Sequence, residues 1–520
     1  MHAAQRTIVA RGTWRLQDIL VEPGYDCAFF TDPEERGYFD FWRILVNNIY
    51  LFPSDVMARL LPQLARHEPA IKHAALAMAA MARALVPNLK RRTRKELQSN
   101  GPHYEFALKH YVRAIKLVRT SVPSSENMLW AIVCCVLFVT FECLHGDRYA
   151  ALSHVNHAYK MMEDYFSRRS LVGANPETES VRSVCDDAAW IFQGMTMQSW
   201  SHNKLHPREE NEINWCCRGS KHPFAVDEMP MTFDSLHSGR RWWRVVQHYI
   251  CHRCPIYKDM YADESATAQE VRFGSCSRST YDSKEAEHLR MVLPEFLGHL
   301  QRWSNGFQGV YNKLRKGRKW DFHSYVEACN LRVQYLLLWT DVISTSYSEV
   351  EAVTALTPEF REIVYLSRDI LETQSNCGGC SDVFSMDNGP TMPLLVVACN
   401  CRDPDVRQEA TELLGKHPRR DGLWDSRTFH TIAMKNMEIE AENVTVGNDQ
   451  GDEWSRLVRR EVYFDAAGNI QAKLVKWQPH LAEWRVVDEQ LEQSSRHVSR
   501  DFAKLSQQQQ QQQPIDLTPG

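Results

Sequence analysis

The sequence predicts an all-α protein: one large multi-helix domain with a small β-hairpin near the C-terminus. Three observations predict it. Apolar residues recur at helical spacing through most of the chain, one stretch at 460–477 changes to strand-like composition, and the breaks between helical blocks are polar. The chain has 520 residues, 43% hydrophobic and 24% charged, enough for a sizeable core at an ordinary soluble composition. Net charge is −4, which does not suggest a stand-alone nucleic-acid binder, because such domains are usually basic.

Taken in order, "VMARLLPQLARHEPAIKHAALAMAAMARAL" (56–85) reads as helices broken or kinked near Pro62 and Pro69. "ALKHYVRAIKLVRT" (107–120) sets Leu108, Val112, Ile115 and Val118 on one face. Lys109, Arg113, Lys116 and Arg119 fall mainly on the other, which makes an amphipathic helix. The apolar run "MLWAIVCCVLFV" (128–139) is too short to span a membrane and reads as a buried core helix. "SKEAEHLRMVLPEFLGHLQRW" (283–303) is helical, with a kink or restart expected at Pro294, and "YVEACNLRVQYLLLWTDVIS" (325–344) is helical and central. Polar breaks at 166–184, 262–285 and 441–452 read as long loops. Two β-rich runs flank Ala466–Asn469 and suggest the hairpin, and the glutamine-rich end is low complexity.

The expected organisation is an N-terminal extension at 1–34, a helical domain at 35–440, a C-terminal part with the hairpin at 441–500, and a disordered tail at 501–520. The chain holds 15 cysteines, several in apolar helical context, and its start shows no long apolar core of the kind a signal peptide carries. Buried free thiols in a reducing compartment are the expectation.

No motif nominates catalytic chemistry. The sequence holds no Gly-x-Ser-x-Gly elbow, no phosphate-binding loop ending in Gly-Lys-Ser/Thr, and no dinucleotide-binding glycine pattern. Catalytic residues, cofactors and metal ligands are therefore all read as none. Cys251 with Cys254 and Cys377 with Cys380 each form a Cys-x2-Cys pair, but lie more than a hundred residues apart with no regularly spaced further ligands. In "HEPAIKH" the histidines His67 and His73 stand six apart, where a zincin needs a spacing of four. His154 and His157 share a helix and read as a packed or solvated pair. Two basic runs stand out: Lys90, Arg91, Arg92, Arg94 and Lys95 as a candidate nuclear-targeting segment, and Lys313, Arg315, Lys316, Arg318 and Lys319 as a weaker one.

The stretch "CNCRDPDVRQEATELLGKHPRRDGLWDS" invites a metal or catalytic reading, yet local physics accounts for it. Asp403 caps a helix that begins at Pro404, and Asp405 suits its positive end. Val406, Ala410, Leu413 and Leu414 form the apolar stripe, with Gly415 placed to end the helix. A turn follows, then a second helix capped by Asp425 or Ser426, whose stripe is Phe429, Ile432, Ala433 and Met437. Trp424 packs back just before that cap. The expectation is a helix–turn–helix hairpin with Arg407, Arg419 and Arg420 on a charged rim.

These residues also carry a resemblance. "MPLLVVACNCRDPDVRQEATELLGKHPRRDGLWDS" is similar to the late signature of the fungal-specific transcription factor domain, through Cys401, Arg402, Asp403, Pro404, Arg407, Glu409, Arg419, Arg420, Gly422, Leu423, Trp424 and Asp425. "HAALAMAAM" and "ALKHYVRAI" resemble that family's early helices. The segment at 129–158 resembles its Phe-Glu-x-x-x-Gly-Asp element through Phe141, Glu142, Gly146 and Asp147. The resemblance spans about 35–490. It implies an all-helical regulatory domain in a nuclear transcription regulator. Other transcription regulators or coregulators, a second copy of the chain and a small-molecule effector are the implied partners, and no membrane is. In that family a binuclear six-cysteine zinc cluster reads DNA. Its Cys-x2-Cys-x6-Cys pattern is not completed here, since Tyr261 and Asp387 occupy the third-cysteine positions. Sequence-specific DNA binding by this chain alone is therefore not expected. Genes of specialised metabolism or of nutrient use are the implied targets. A helical enzyme or accessory protein of a biosynthetic pathway, and a non-catalytic scaffold or adaptor, stand as alternatives.

Overall fold

The computed structural model describes residues 30, 32–49, 61–90, 101–121, 125–170, 188, 191–192, 194–195, 198, 226–253, 283–344, 353–377, 383–444, 461–464, 470–478 and 483–491. Helices dominate them, as expected. In chain order they are α1 (Pro33–Ile49), α2 (Leu61–Leu64), α3 (Pro69–Lys90), α4 (Pro102–Thr120), α5 (Ser125–His145), α6 (Arg148–Ser170) and α7 (Leu236–Arg253). Then come α8 (Ser283–Gly317), α9 (Phe322–Ser344), α10 (Thr357–Cys377), α11 (Thr391–Asn400), α12 (Pro404–Lys416) and α13 (Ser426–Val444).

Two hydrophobic cores organise these helices. The first is built from α1 to α6. The run Ala74–Ala82 on α3 is buried all round, and its many alanines let α1, α4 and α5 approach closely. Among the described residues α5 alone is long and apolar enough to cross a membrane, but nearly all of it is buried among its neighbours, as a core helix is. On α4 the basic residues Lys109, Arg113, Lys116 and Arg119 are exposed as predicted. The buried stripe is Tyr104, Ala107, Leu108, His110, Tyr111 and Ala114, set towards the start of the helix, while Val112, Ile115 and Val118 are only half-buried.

The second core is built from α7 to α13. Phe296, Leu300, Trp303 and Phe307 follow one face of α8 at spacings of four, three and four and are fully buried. Trp303 stacks on Phe307 at 4.8 Å and lies 4.8 Å from Trp243 of α7 and 5.7 Å from Tyr335 of α9. Its indole N–H donates to the Gly239 carbonyl at 2.9 Å, so the large ring is buried without an orphaned donor. Pro294 neither ends nor restarts this helix: α8 runs through it. Pro69, in contrast, opens α3 at its first position, where its missing N–H costs no bond.

Two small sheets complete the described structure. One joins β1 (Phe384–Ser385), β2 (Arg420–Asp421) and β3 (Trp424–Asp425), with β1 parallel to β2 and β2 antiparallel to β3. The other is antiparallel. Here β4 (Glu461–Phe464) pairs with β5 (Ile470–Gln478) in the predicted hairpin, and β6 (Glu483–Leu491) adds a third strand beyond it. The free thiols of Cys134, Cys135, Cys143, Cys329, Cys399 and Cys401 are buried, in line with the reading of apolar-context cysteines. Most of the predicted polar breaks and of the extension at 1–34, and the whole glutamine-rich tail, lie outside the described residues; the described edges, 33–34, 166–170, 283–285 and 441–444, are helical and not loop.

The stretch 399–426 is structural, but three expectations about it need correction. Gly415 does not end α12; it lies inside the helix, where a Cβ would stand 2.8 Å from the His430 ring of α13. It is small so that the two helices can touch. The connection to α13 is not a plain turn but the β2–β3 hairpin, recruited to β1. The arginines are not a rim. Arg419 is 1% exposed and bonds Asp421 and Gln374, and Arg407 is buried with its Nε on the Ala398 carbonyl. Guanidinium groups go inside when carboxylates and carbonyls wait there, a tertiary fact that local charge counting does not see. Trp424 and the stripe Val406, Ala410, Leu413 and Leu414 are buried as predicted. Trp424→Ala is expected to cost about 3–5 kcal/mol in chemical denaturation. A loss under about 1 kcal/mol would show the site to be far less well packed than its burial indicates.

Candidate functional site

The early and late signatures meet in space. The last turn of α5 carries Phe141, Glu142 and His145, and Gly146 follows with φ +92°, a conformation that glycine adopts freely. Asp147 then caps α6, its carboxylate accepting from the Ala150 N–H at 3.0 Å. From the late stretch, Arg420 reaches across. Its Nη1 donates to the Leu144 carbonyl at 2.7 Å and its Nε to Asp425 at 3.0 Å. The guanidinium lies over Gly146 so closely that a Cβ there would stand 3.1 Å from it. One arginine therefore joins the carbonyl end of α5, in the first core, to the cap of α13, in the second.

Beneath that bridge runs a buried chain of titratable groups. The Tyr111 hydroxyl donates to Glu142, and His154 Nε2 lies 2.8 Å from the same hydroxyl oxygen. His145 Nδ1 faces the other Glu142 oxygen at 3.4 Å, while its Nε2 lies 3.0 Å from the Tyr104 hydroxyl. One assignment satisfies every member. Neutral His154 donates to Tyr111, Tyr111 donates to Glu142, Tyr104 donates to His145 Nε2, and His145 Nδ1–H donates to Glu142. Burial pushes the Glu142 carboxyl above its usual range, against the pull of His145 and Tyr111. Burial likewise holds His154 down at about 4. Such a chain looks like acid–base hardware. Tyr104, Tyr111, Glu142 and His145 are buried and bond one another, and His154, at the end of the chain, is half-buried.

The late signature is equally occupied. Asp403 accepts from the N–H groups of Asp405 and Val406, the predicted cap, and also pairs with Arg361 of α10. Glu409 pairs with Arg368 of α10. Cys401 is buried, and burial pushes its thiol upward, away from the thiolate form. Gly422 has φ +58°, and a Cβ there would collide with the Gln198 side chain. The Gln198 side chain accepts from the Leu423 N–H at 2.7 Å and donates to Asn388 at 2.9 Å. Asp425 caps α13 by accepting from the Arg427 N–H and holds both Arg420 and Arg427. Burial alone would raise its carboxyl. The charges of Arg427 and Arg420 and their hydrogen bonds outweigh that and hold it far below the carboxylate range. The signal missed in the sequence was the partner set: Gln198, Gln374, Asn388 and Tyr104 lie outside the quoted motifs, while Tyr111 and His154 stand within quoted segments and only their meeting at Glu142 is tertiary.

Other predicted residues separate. His154 joins the buried chain, whereas His157 is exposed and bonds the Ser153 carbonyl, so the two do not act as a pair. The side chains of the candidate targeting run Lys90–Lys95 and of both Cys-x2-Cys pairs lie outside the described residues. Lys313, Arg315, Lys316, Arg318 and Lys319 are exposed at the end of α8, beside an exposed Trp320.

Comparison with known proteins agrees with the resemblance. Residues 39–199 match the model of the family described as the fungal-specific transcription factor domain, a span that runs from within α1 to beyond α6 and includes the Phe-Glu-x-x-x-Gly-Asp element. The late signature lies beyond the matched residues. The chain is also similar to the aspercryptin biosynthesis cluster-specific transcription regulator atnN of Emericella nidulans, 33% identical over 72 residues, which span 14% of this chain and 12% of that protein. No solved structure matches the chain.

Asp425→Asn is expected to destabilise the protein by roughly 3 kcal/mol at neutral pH, because it leaves two guanidiniums around an uncharged group. The folded-state pKa of Asp425 is depressed, so its contribution is present above the unfolded carboxylate value. That contribution fades as the pH falls below about 4. The gap between wild type and variant should therefore narrow on acidification. A gap that is constant with pH would show that the carboxylate charge is not what matters.

Proposed function

We propose that this chain is a fungal-type transcription regulator, acting in the nucleus, whose helical region works through partners or a small effector rather than through catalysis. The observation that carries this reading is the family match over 39–199. The occupied state of the signature residues supports it: Arg420, Asp425 and Glu142 are taken up in contacts within the protein. Control of a specialised-metabolite gene cluster is the finer reading, and it rests on the role printed for the similar regulator. The run Lys90, Arg91, Arg92, Arg94 and Lys95 is the proposed targeting segment.

A reporter assay tests the proposal. The full chain, fused to an unrelated DNA-binding domain with a known operator, is expected to raise or lower transcription from that operator. An inert fusion that is well expressed and nuclear would overturn the reading. Deleting the gene is expected to change expression of a contiguous set of biosynthetic genes, and unchanged expression across all such sets would remove the finer reading.

Direct DNA binding by the chain alone is expected to be weak, independent of sequence and steeply salt-dependent, since short basic runs neutralise only a few phosphates. In competition assays, promoter fragments and random duplex should be displaced alike. A specific complex surviving about 150 mM salt and excess random competitor would reveal a DNA reader within the chain.

A further inference from the structure

Three helices of the first core converge on a set of donors that no motif announces. Glu35 stands in the first turn of α1, His73 on α3 and His110 on α4, and their ligating atoms all lie within 4.8 Å of one another. The two histidines are buried, and their Nδ1 atoms lie 2.9 Å apart. Glu35 is the partly open side of the cluster, where its Oε2 pairs with Lys72 at 2.7 Å. We propose that His73 Nδ1, His110 Nδ1 and the Glu35 carboxylate form a binding site for a divalent first-row transition ion, zinc being the reference case.

The donor chemistry fits. Two imidazoles and one carboxylate are a recurrent three-ligand set for zinc, with the fourth position left to water. At metal–nitrogen distances of about 2.0–2.1 Å, tetrahedral geometry sets the two nitrogens roughly 3.3 Å apart, so the imidazoles need to part by only about 0.4 Å. The carboxylate closes the remaining gap by turning about its side-chain bonds. Imidazole must be neutral to bind metal. Burial, with the charge of Arg113 among the further causes, keeps both rings neutral down to about pH 4. Ring orientation is also fixed: His110 stacks on Phe106 at 4.1 Å, which presents its Nδ1 to His73. Without an ion the two rings share one hydrogen bond, one donating its Nδ1–H to the other.

Lys72 sets the strength of the site. Its ammonium competes with the ion for Glu35, and with Arg113 nearby the electrostatic field works against a dication. The bound ion would therefore be exchangeable, and its effect would be to fasten α1 onto α3 and α4; His73 and His110 lie within the family match, and Glu35 lies just before it.

The test uses the full chain, stripped with chelator and titrated with Zn2+ or Co2+. The expected result is one ion per chain, a rise in the thermal midpoint, and for Co2+ visible d–d bands without thiolate charge transfer. Glu35→Gln and His110→Gln should each lower affinity at least tenfold. Lys72→Gln should raise it several-fold by freeing the carboxylate, an effect that loss of folding cannot mimic. Absence of binding by wild type, or binding unchanged in Glu35→Gln and His110→Gln, would overturn the proposal. The second result, with thiolate bands, would place the ion on cysteines instead. If His110→Gln fails to fold, the opposed effects of Glu35→Gln and Lys72→Gln decide it.

Discussion

The Arg420 guanidinium is the contact on which the arrangement of the two cores depends. It satisfies the Leu144 carbonyl, one of the acceptors that the end of α5 leaves without a helical partner, and at the same time pairs with Asp425 at the start of α13. A half-buried guanidinium bonded at both ends commits the two helix ends to one relative position. The surrounding residues follow from that commitment. Gly146 must lack a side chain beneath the guanidinium, Asp425 must stay ionised, and Gly422 must leave room for the Gln198 amide that ties the hairpin to Asn388.

Polar side chains extend this seam. The Asn388 carbonyl accepts from Asn330 and Gln334 of α9, and Gln334 accepts in turn from the Trp243 indole. They carry the polar contact from Gln198 and Asn388 into the second core, ending on the buried Trp243.

Much of the fold was legible because it is local. Helical spacing, the Asp403 cap with Pro404 behind it, and the burial of Trp424 all follow from residues within a few positions of each other. The failures are tertiary. Arg419 looks like a surface charge until Gln374 and Asp421 are brought beside it, and Gly415 looks like a helix stop until His430 is packed against it. The pairing of β1 with β2 joins two-residue strands from separate parts of the chain, too short for periodicity to register. The third strand β6 did carry a local signal in Val486 and Val487. His73 and His110 each sit in an unremarkable helical context, and only the packing of α3 on α4 makes them neighbours.

Leu423 and Trp424 are adjacent in sequence, yet Leu423 is buried in the first core and Trp424 in the second. Leu423 belongs to the turn of the β2–β3 hairpin and Trp424 opens β3 opposite Asp421, so the two anchors leave the chain where its direction reverses. The hairpin works as a divider with one hydrophobic anchor on each side. With only Gly422 and Leu423 between the paired strands, the connection has no spare length: a longer loop would release Leu423 from the first core, while Trp424 would keep its place in the ladder and in the second.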